Sequence, residues 1–160
     1  MYIRKKNDML KGILAVSGHQ GLFKHIAESK NHIIVESLDT GKRMPVYASS
    51  KVSALEDIAI YTDTADVPLR DVFKSIAERE ENGEAISHKS SNDQLKAYFA
   101  EVLPEYDKER VYVSDIRKVI LWYNILCEKN LLDFSEEEEE EKGTGEDQEK
   151  ELPKDEEASE

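Results

Sequence analysis

The chain has one cysteine, four prolines and one tryptophan in 160 residues. A single thiol excludes an internal disulfide and fits a reducing compartment. No apolar run reaches membrane-spanning length. The run at residues 13–16 is too short for a signal-peptide core, and no small-residue cleavage pattern follows it. A cytoplasmic protein without membrane contact is the expectation.

Catalytic signatures are missing as well. The sequence holds no G-x-x-x-x-G-K-[ST], no G-x-G-x-x-G, no H-E-x-x-H and no G-x-S-x-G. The four histidines are His19, His25, His32 and His88, and none stands near Cys127, so no zinc ligand set is expected. Glu56 and Asp57 are adjacent, and in a strand they would point to opposite faces, which does not make an acid/base couple. The chain therefore reads as non-catalytic, with no metal and no cofactor.

What is abundant is charge, unevenly spread. Residues 1–53 carry 9 Lys/Arg against 4 Asp/Glu, and residues 54–135 carry 10 against 17. From Glu136 onward 14 acidic residues face 3 lysines. A basic head, an acidic middle and a very acidic tail result. The tail, opening with six glutamates at 136–141, is too polar and too like-charged to bury a core and is expected to be disordered. It either keeps the protein apart from its neighbours or competes with an anionic partner for the basic head.

Hydrophobic patterning divides the rest at about residue 62. After a polar arm at 1–8, five short apolar segments at 12–16, 22–28, 33–38, 43–48 and 58–61 alternate with turn residues, and each reads as a strand. Gly18-His19-Gln20-Gly21 reads as a hairpin turn. Its G-x-x-G spacing matches a nucleic-acid clamp loop, but that loop belongs between helices. Pro45 lacks an N–H and places its strand at an edge or a bulge. The pattern predicts a small antiparallel β-barrel of SH3-like type over residues 9–62, with an open sheet packed on helices as the alternative.

Residues 63–135 read as a three-helix region. Leu69, Val72, Phe73, Ile76 and Ala77 mark one face, with Asp66 as N-cap and Asn82-Gly83 as stop. Ser91 through Gln94 fits a capping box ahead of Leu95, Tyr98, Phe99 and Val102, and Pro104 ends that helix. Residues 114–129, SDIRKVILWYNILCEK, follow with Ser114 as N-cap. They are apolar on most of their circumference, so this helix must be covered on nearly all sides. Cys127 reads as a small buried hydrophobe within it. The fold class is α+β: a small barrel, three helices, a disordered tail.

The runs MLKGILAVSGHQGLFK, IIVESLDTGKRMPVYAS, VSALEDIAIYT, VPLRDVF, HKSSN-x-x-LKAYF and RVYVSDIRKVILWYN, in this order over residues 9–134, carry a resemblance. The chain resembles an uncharacterised Bacteroidota family in which domain of unknown function 5606 is followed by a helical companion region. The resemblance implies a two-part design and a cytoplasmic origin, and no activity comes with it.

The sequence thus points first to an interaction or adaptor module with a protein partner. The alternative is RNA or DNA contact through the head, with Lys11, Lys24, Lys30, Lys42, Arg43 and Lys51 tracking phosphates and Phe23 and Tyr47 stacking on bases. Lys24, His25, Lys42 and Arg43 are the candidate contact residues.

Overall fold

The computed structural model describes residues 9–134; the arm at 1–8 and the acidic tail lie outside the described residues. Five strands, β1 (Ile13–Val16), β2 (Phe23–Glu28), β3 (His32–Ser37), β4 (Arg43–Tyr47) and β5 (Val52–Ala54), form one antiparallel sheet in the order β4-β3-β2-β1-β5. Alternation places Val16, Phe23, Val35 and Val46 in one buried cluster, with Leu14, Ile33 and Met44 packed against it. Each such side chain contributes about 1.5–3 kcal/mol when fully removed from water.

The sheet does not close, which corrects the barrel expectation: β4 and β5 are its two edges. The physical reason lies in the fifth strand. Residues 49–55 read as a polar connector, yet Val52, Ser53 and Ala54 pair with Val16, Ala15 and Leu14. Three residues are too few to bridge back to β4. Residues 58–61, where the pattern predicts the fifth strand, lie elsewhere. A 3-10 turn, Leu55–Asp57, leads to β6 (Ala59–Tyr61), which pairs with β7 (Asp66–Pro68) in a separate hairpin.

Proline explains the edge at β4. Ser37 donates its N–H to the Lys42 carbonyl, so the bonded pairs of this ladder alternate from there. Pro45, paired with Ile34, then falls where a backbone N–H would point out to solvent, and its missing donor costs nothing.

Three helices follow: α1 (Leu69–Arg79), α2 (Asn92–Val102) and α3 (Val113–Glu128). The first buries the face its periodicity predicts, from Leu69 to Ala77. It begins later than expected: Asp66 and Val67 stay in β7, and Pro68 is the residue before the first turn. The α1 stop falls at Glu81 and Asn82, both with positive φ. Ser91 and Gln94 form the anticipated capping box, with Gln94 N–H on the Ser91 hydroxyl at 3.2 Å and Ser91 N–H on the Gln94 side chain at 3.1 Å. In α3 the cap is two residues earlier than Ser114: Tyr112 N–H donates to the Asp115 carboxylate at 3.0 Å.

α3 is the interior pillar. Ile116, Val119, Ile120, Trp122, Tyr123, Ile125 and Leu126 are buried. Tyr123 packs its ring against Phe73 of α1 at 6.0 Å and donates its hydroxyl to the Gly83 carbonyl at 2.8 Å. Cys127 corrects the expectation of burial, being half-buried with its thiol 3.8 Å from the Asn82 carbonyl. Residues 10–131 form one compact unit containing both sheet and helices. Among the described residues no helix is long and apolar enough to cross a membrane.

Candidate functional site

One face of α3 borders an open cleft. Asp115, Lys118, Val119 and Trp122, spaced by three, one and three, share it and line a cleft of about 250 Å3 whose opposite wall is Ile58, Ala59, Ile60 and Tyr61. Val111 adds to its apolar floor. A second cleft of about 480 Å3 adjoins it, lined by the β1–β2 turn, Lys51, Ser53 and Leu121. Lys118 and Trp122 line both clefts, so they form one groove with Trp122 as its shared wall.

Two local devices fix this geometry. Asp107 accepts the N–H groups of Glu109 and Arg110 at 2.9 and 3.3 Å and the Arg110 Nε at 2.8 Å. Those bonds, the Arg110 side chain first, hold its carboxyl below the usual carboxylate range. The tether lays the Arg110 guanidinium 4.1 Å from the Tyr61 ring centroid, at the mouth of the first cleft. At the other end, Gly21 has φ +95°, and a Cβ there would lie 3.9 Å from Ile125 Cδ1. The turn closes against α3 in a backbone conformation that favours glycine.

The wall of the first cleft is an unfinished sheet edge. Thr62 N–H donates to the Ala65 carbonyl and Leu69 N–H to the Ile58 carbonyl, so the Ile58 carbonyl and the backbone groups of Ile60 and Thr62 turn toward β7, while the Ile58 N–H donates to Leu55. Ala59 and Tyr61 then turn theirs outward. Tyr61 is used there: its carbonyl accepts the Asp107 N–H at 3.0 Å, Asp63 N–H donates to Glu105, and Thr62 bridges to Tyr106. No described residue continues this pairing at Ala59, which is exposed and faces the cleft.

The ionisable groups lining the two clefts are Asp115, Arg110, Lys118, Lys51, His19 and the Tyr61 phenol. Among the described residues no group of three His, Cys, Asp or Glu is placed to hold a metal ion. The arrangement can bind: it offers an apolar floor, a rim of mixed charge and free backbone donors and acceptors.

The residues singled out from the sequence lie elsewhere. Lys24 and Arg43 fall in one row across the sheet with Glu36 between them, and Arg43 Nε meets the Glu36 carboxylate at 2.9 Å. His25 is opposite Val35 and so belongs to the other face. Lys42 sits in the β3–β4 turn, exposed. The structure thus brings Lys24 and Arg43 together, and not His25 or Lys42. Of the two stacking candidates, Phe23 is core, 6% exposed, whereas Tyr47 is 53% exposed and lies 5.3 Å from the His32 ring. Sequence reasoning missed Ala59, Tyr61, Arg110 and Lys118. A signal was present in the apolar run at 58–61 followed by acidic and turn residues at 63–66, which fits a hairpin.

Residues 10–55 match the family described as domain of unknown function DUF5606, and residues 58–126 match that described as domain of unknown function DUF6852. The first match spans β1–β5 and the second begins just before β6. The chain is similar to a solution NMR structure of a Bacteroides vulgatus protein from the Northeast Structural Genomics Consortium, with 48% identity, a TM-score of 0.67, and coverage of 78% of this chain and 90% of that one. No curated protein matches it. An antiparallel sheet matching one domain, a β-hairpin and three helices matching the other, and extensive identity to a solved relative place the chain in the family of proteins that carry DUF5606 followed by DUF6852.

Proposed function

We propose that this protein is a non-catalytic interaction module that holds a polypeptide partner in the groove over Trp122. One observation carries the reading: an apolar cleft rimmed by Arg110, Lys118 and Asp115 lies between a helix face and an open strand edge. Concave apolar sites with a few convergent polar groups are the usual places of binding. The groove contains no nucleophile held by a base, which favours binding over turnover.

A photo-crosslinking side chain in place of Lys118, used in cells that make the protein, tests this. Specific adducts are expected from position 118 and not from a control at Glu78, exposed on α1. Equal labelling from both positions contradicts the reading.

A second reading, contact with single-stranded RNA or DNA by the sheet, is favoured by exposed Tyr47 beside His32 on the face that carries Lys24 and Arg43. Glu36 offsets one of those charges. Binding of a mixed oligonucleotide at low salt that is lost in Tyr47→Ala would support it over the groove.

A further inference from the structure

We propose that the groove takes its partner by strand addition: an extended segment with a bulky apolar residue and flanking acidic residues pairs with the outer edge of β6. The inference rests on the interaction-module reading and specifies how that site works.

Three observations converge on it. The Ala59 N–H and carbonyl point away from β7 and find no partner among the described residues. Backbone groups aimed into a cleft call for a chain that can both donate and accept, which an extended peptide does. The same edge already accepts pairing one step further on, where Glu105, Tyr106 and Asp107 meet Asp63, Thr62 and Tyr61. That stretch turns away at Asp107, held by its own carboxylate bonds, and leaves the edge unfinished toward Ala59. A partner strand would continue the ladder where the chain's own segment leaves it.

The walls define the partner's side chains. Val111, Val119 and Trp122 form an apolar floor with space for one bulky residue. The rim carries Arg110 and Lys118 against Asp115, with Lys51 beyond. Arg110 is already paired with Asp107, so Lys118 and Lys51 are the cations that would meet a carboxylate-bearing segment. Because the apolar floor and the backbone edge lie side by side, alternate residues of a bound strand would face Trp122 and solvent in turn.

The test uses the full chain, labelled with 15N, and a short blocked peptide of alternating valine and leucine flanked by glutamates. Two companions have the same length: one with backbone N-methyl groups on alternate residues, one with lysines replacing the glutamates. Strand addition predicts that the acidic peptide shifts the Ala59 and Tyr61 amide signals and slows Ala59 exchange. It also predicts that N-methylation weakens binding by about tenfold or more, the worth of a lost hydrogen bond, and that the lysine peptide binds more weakly. Lys118→Glu, at an exposed position, should reverse the charge preference.

Equal affinity of the N-methylated peptide overturns strand addition while leaving the groove as a binding site. Equal affinity of the lysine peptide overturns the acidic partner. Absence of binding by all three, with position-specific adducts still formed from residue 118, overturns this inference and leaves the module reading standing.

Discussion

The side-chain amide of Asn124 does for Ala85 what a neighbouring strand would do: it accepts the Ala85 N–H at 2.8 Å and donates to the Ile86 carbonyl at 3.0 Å. Seven residues earlier on α3, Arg117 donates to the His88 carbonyl at 2.5 Å and to the Asn92 side chain at 2.8 Å. Residues 83–91 have no regular structure ahead of α2, so backbone groups there find partners on this helix instead. Asn124→Ala should destabilise the fold by about 1–3 kcal/mol, because the Ala85 donor is left without a partner. Urea unfolding measures the loss, and exchange at the Ala85 amide should accelerate. Unchanged exchange at Ala85 would contradict the clamp.

Trp122 is both core and groove wall, 9% exposed. Trp122→Ala should cost about 3–5 kcal/mol, as a large-to-small change at a packed position. A melting temperature that barely moves would mean that α3 is not the central element.

Alkaline pH should unfold the protein through its buried tyrosines. Burial, with Cys127 and Glu80 adding, pushes Tyr123 up to about 12 from an ordinary 10.0. Tyr98 is raised further by burial and by its hydrogen bond to Glu80. The folded state therefore holds these protons more tightly than the unfolded chain does. The stabilisation is whole below about pH 10 and drains as pH rises through about 12. Thermal melts should fall across that window, and less steeply in Tyr123→Phe, which at neutral pH loses about 1 kcal/mol with its bond to Gly83. A wild-type melting temperature flat across the window contradicts this account.

Cys127 should be a slow thiol. Burial, with Glu84 adding, raises its pKa above the ordinary 9.0, so less thiolate exists at a given pH. Alkylation near pH 8 is expected to be slower than for a free thiol and to reach the free rate in denaturant. Equal rates in the folded and unfolded states would place the sulfur in open solvent.

Much of this architecture was legible in the residues themselves. The face Leu69 to Ala77, the Ser91–Gln94 box and the all-round apolarity of α3 are local patterns, set by helical spacing and capping chemistry. Four of the five strands of the sheet were readable from β-branched content and turn residues. Val52–Ala54 was not, because a three-residue edge strand after two serines and a lysine has no period to detect. The segment at Ala59–Tyr61 was legible as a strand, while its partner was not: pairing with Asp66–Pro68 hides in residues that resemble a cap and a helix start. The groove was illegible for a related reason. Ala59, Tyr61, Arg110 and Lys118 come from three distant segments, and the property that unites them, an unpaired edge beside a helix face, arises after the chain has folded.

Residue-resolved hydrogen exchange along β6 in the free protein tests the central claim most directly. Ile60, whose backbone pairs with Val67, should be strongly protected, whereas its neighbour Ala59, turned outward to the groove, should exchange as an exposed amide. Protection of Ala59 equal to that of Ile60 would mean that the edge is already occupied, and the open groove between β6 and α3 would not exist.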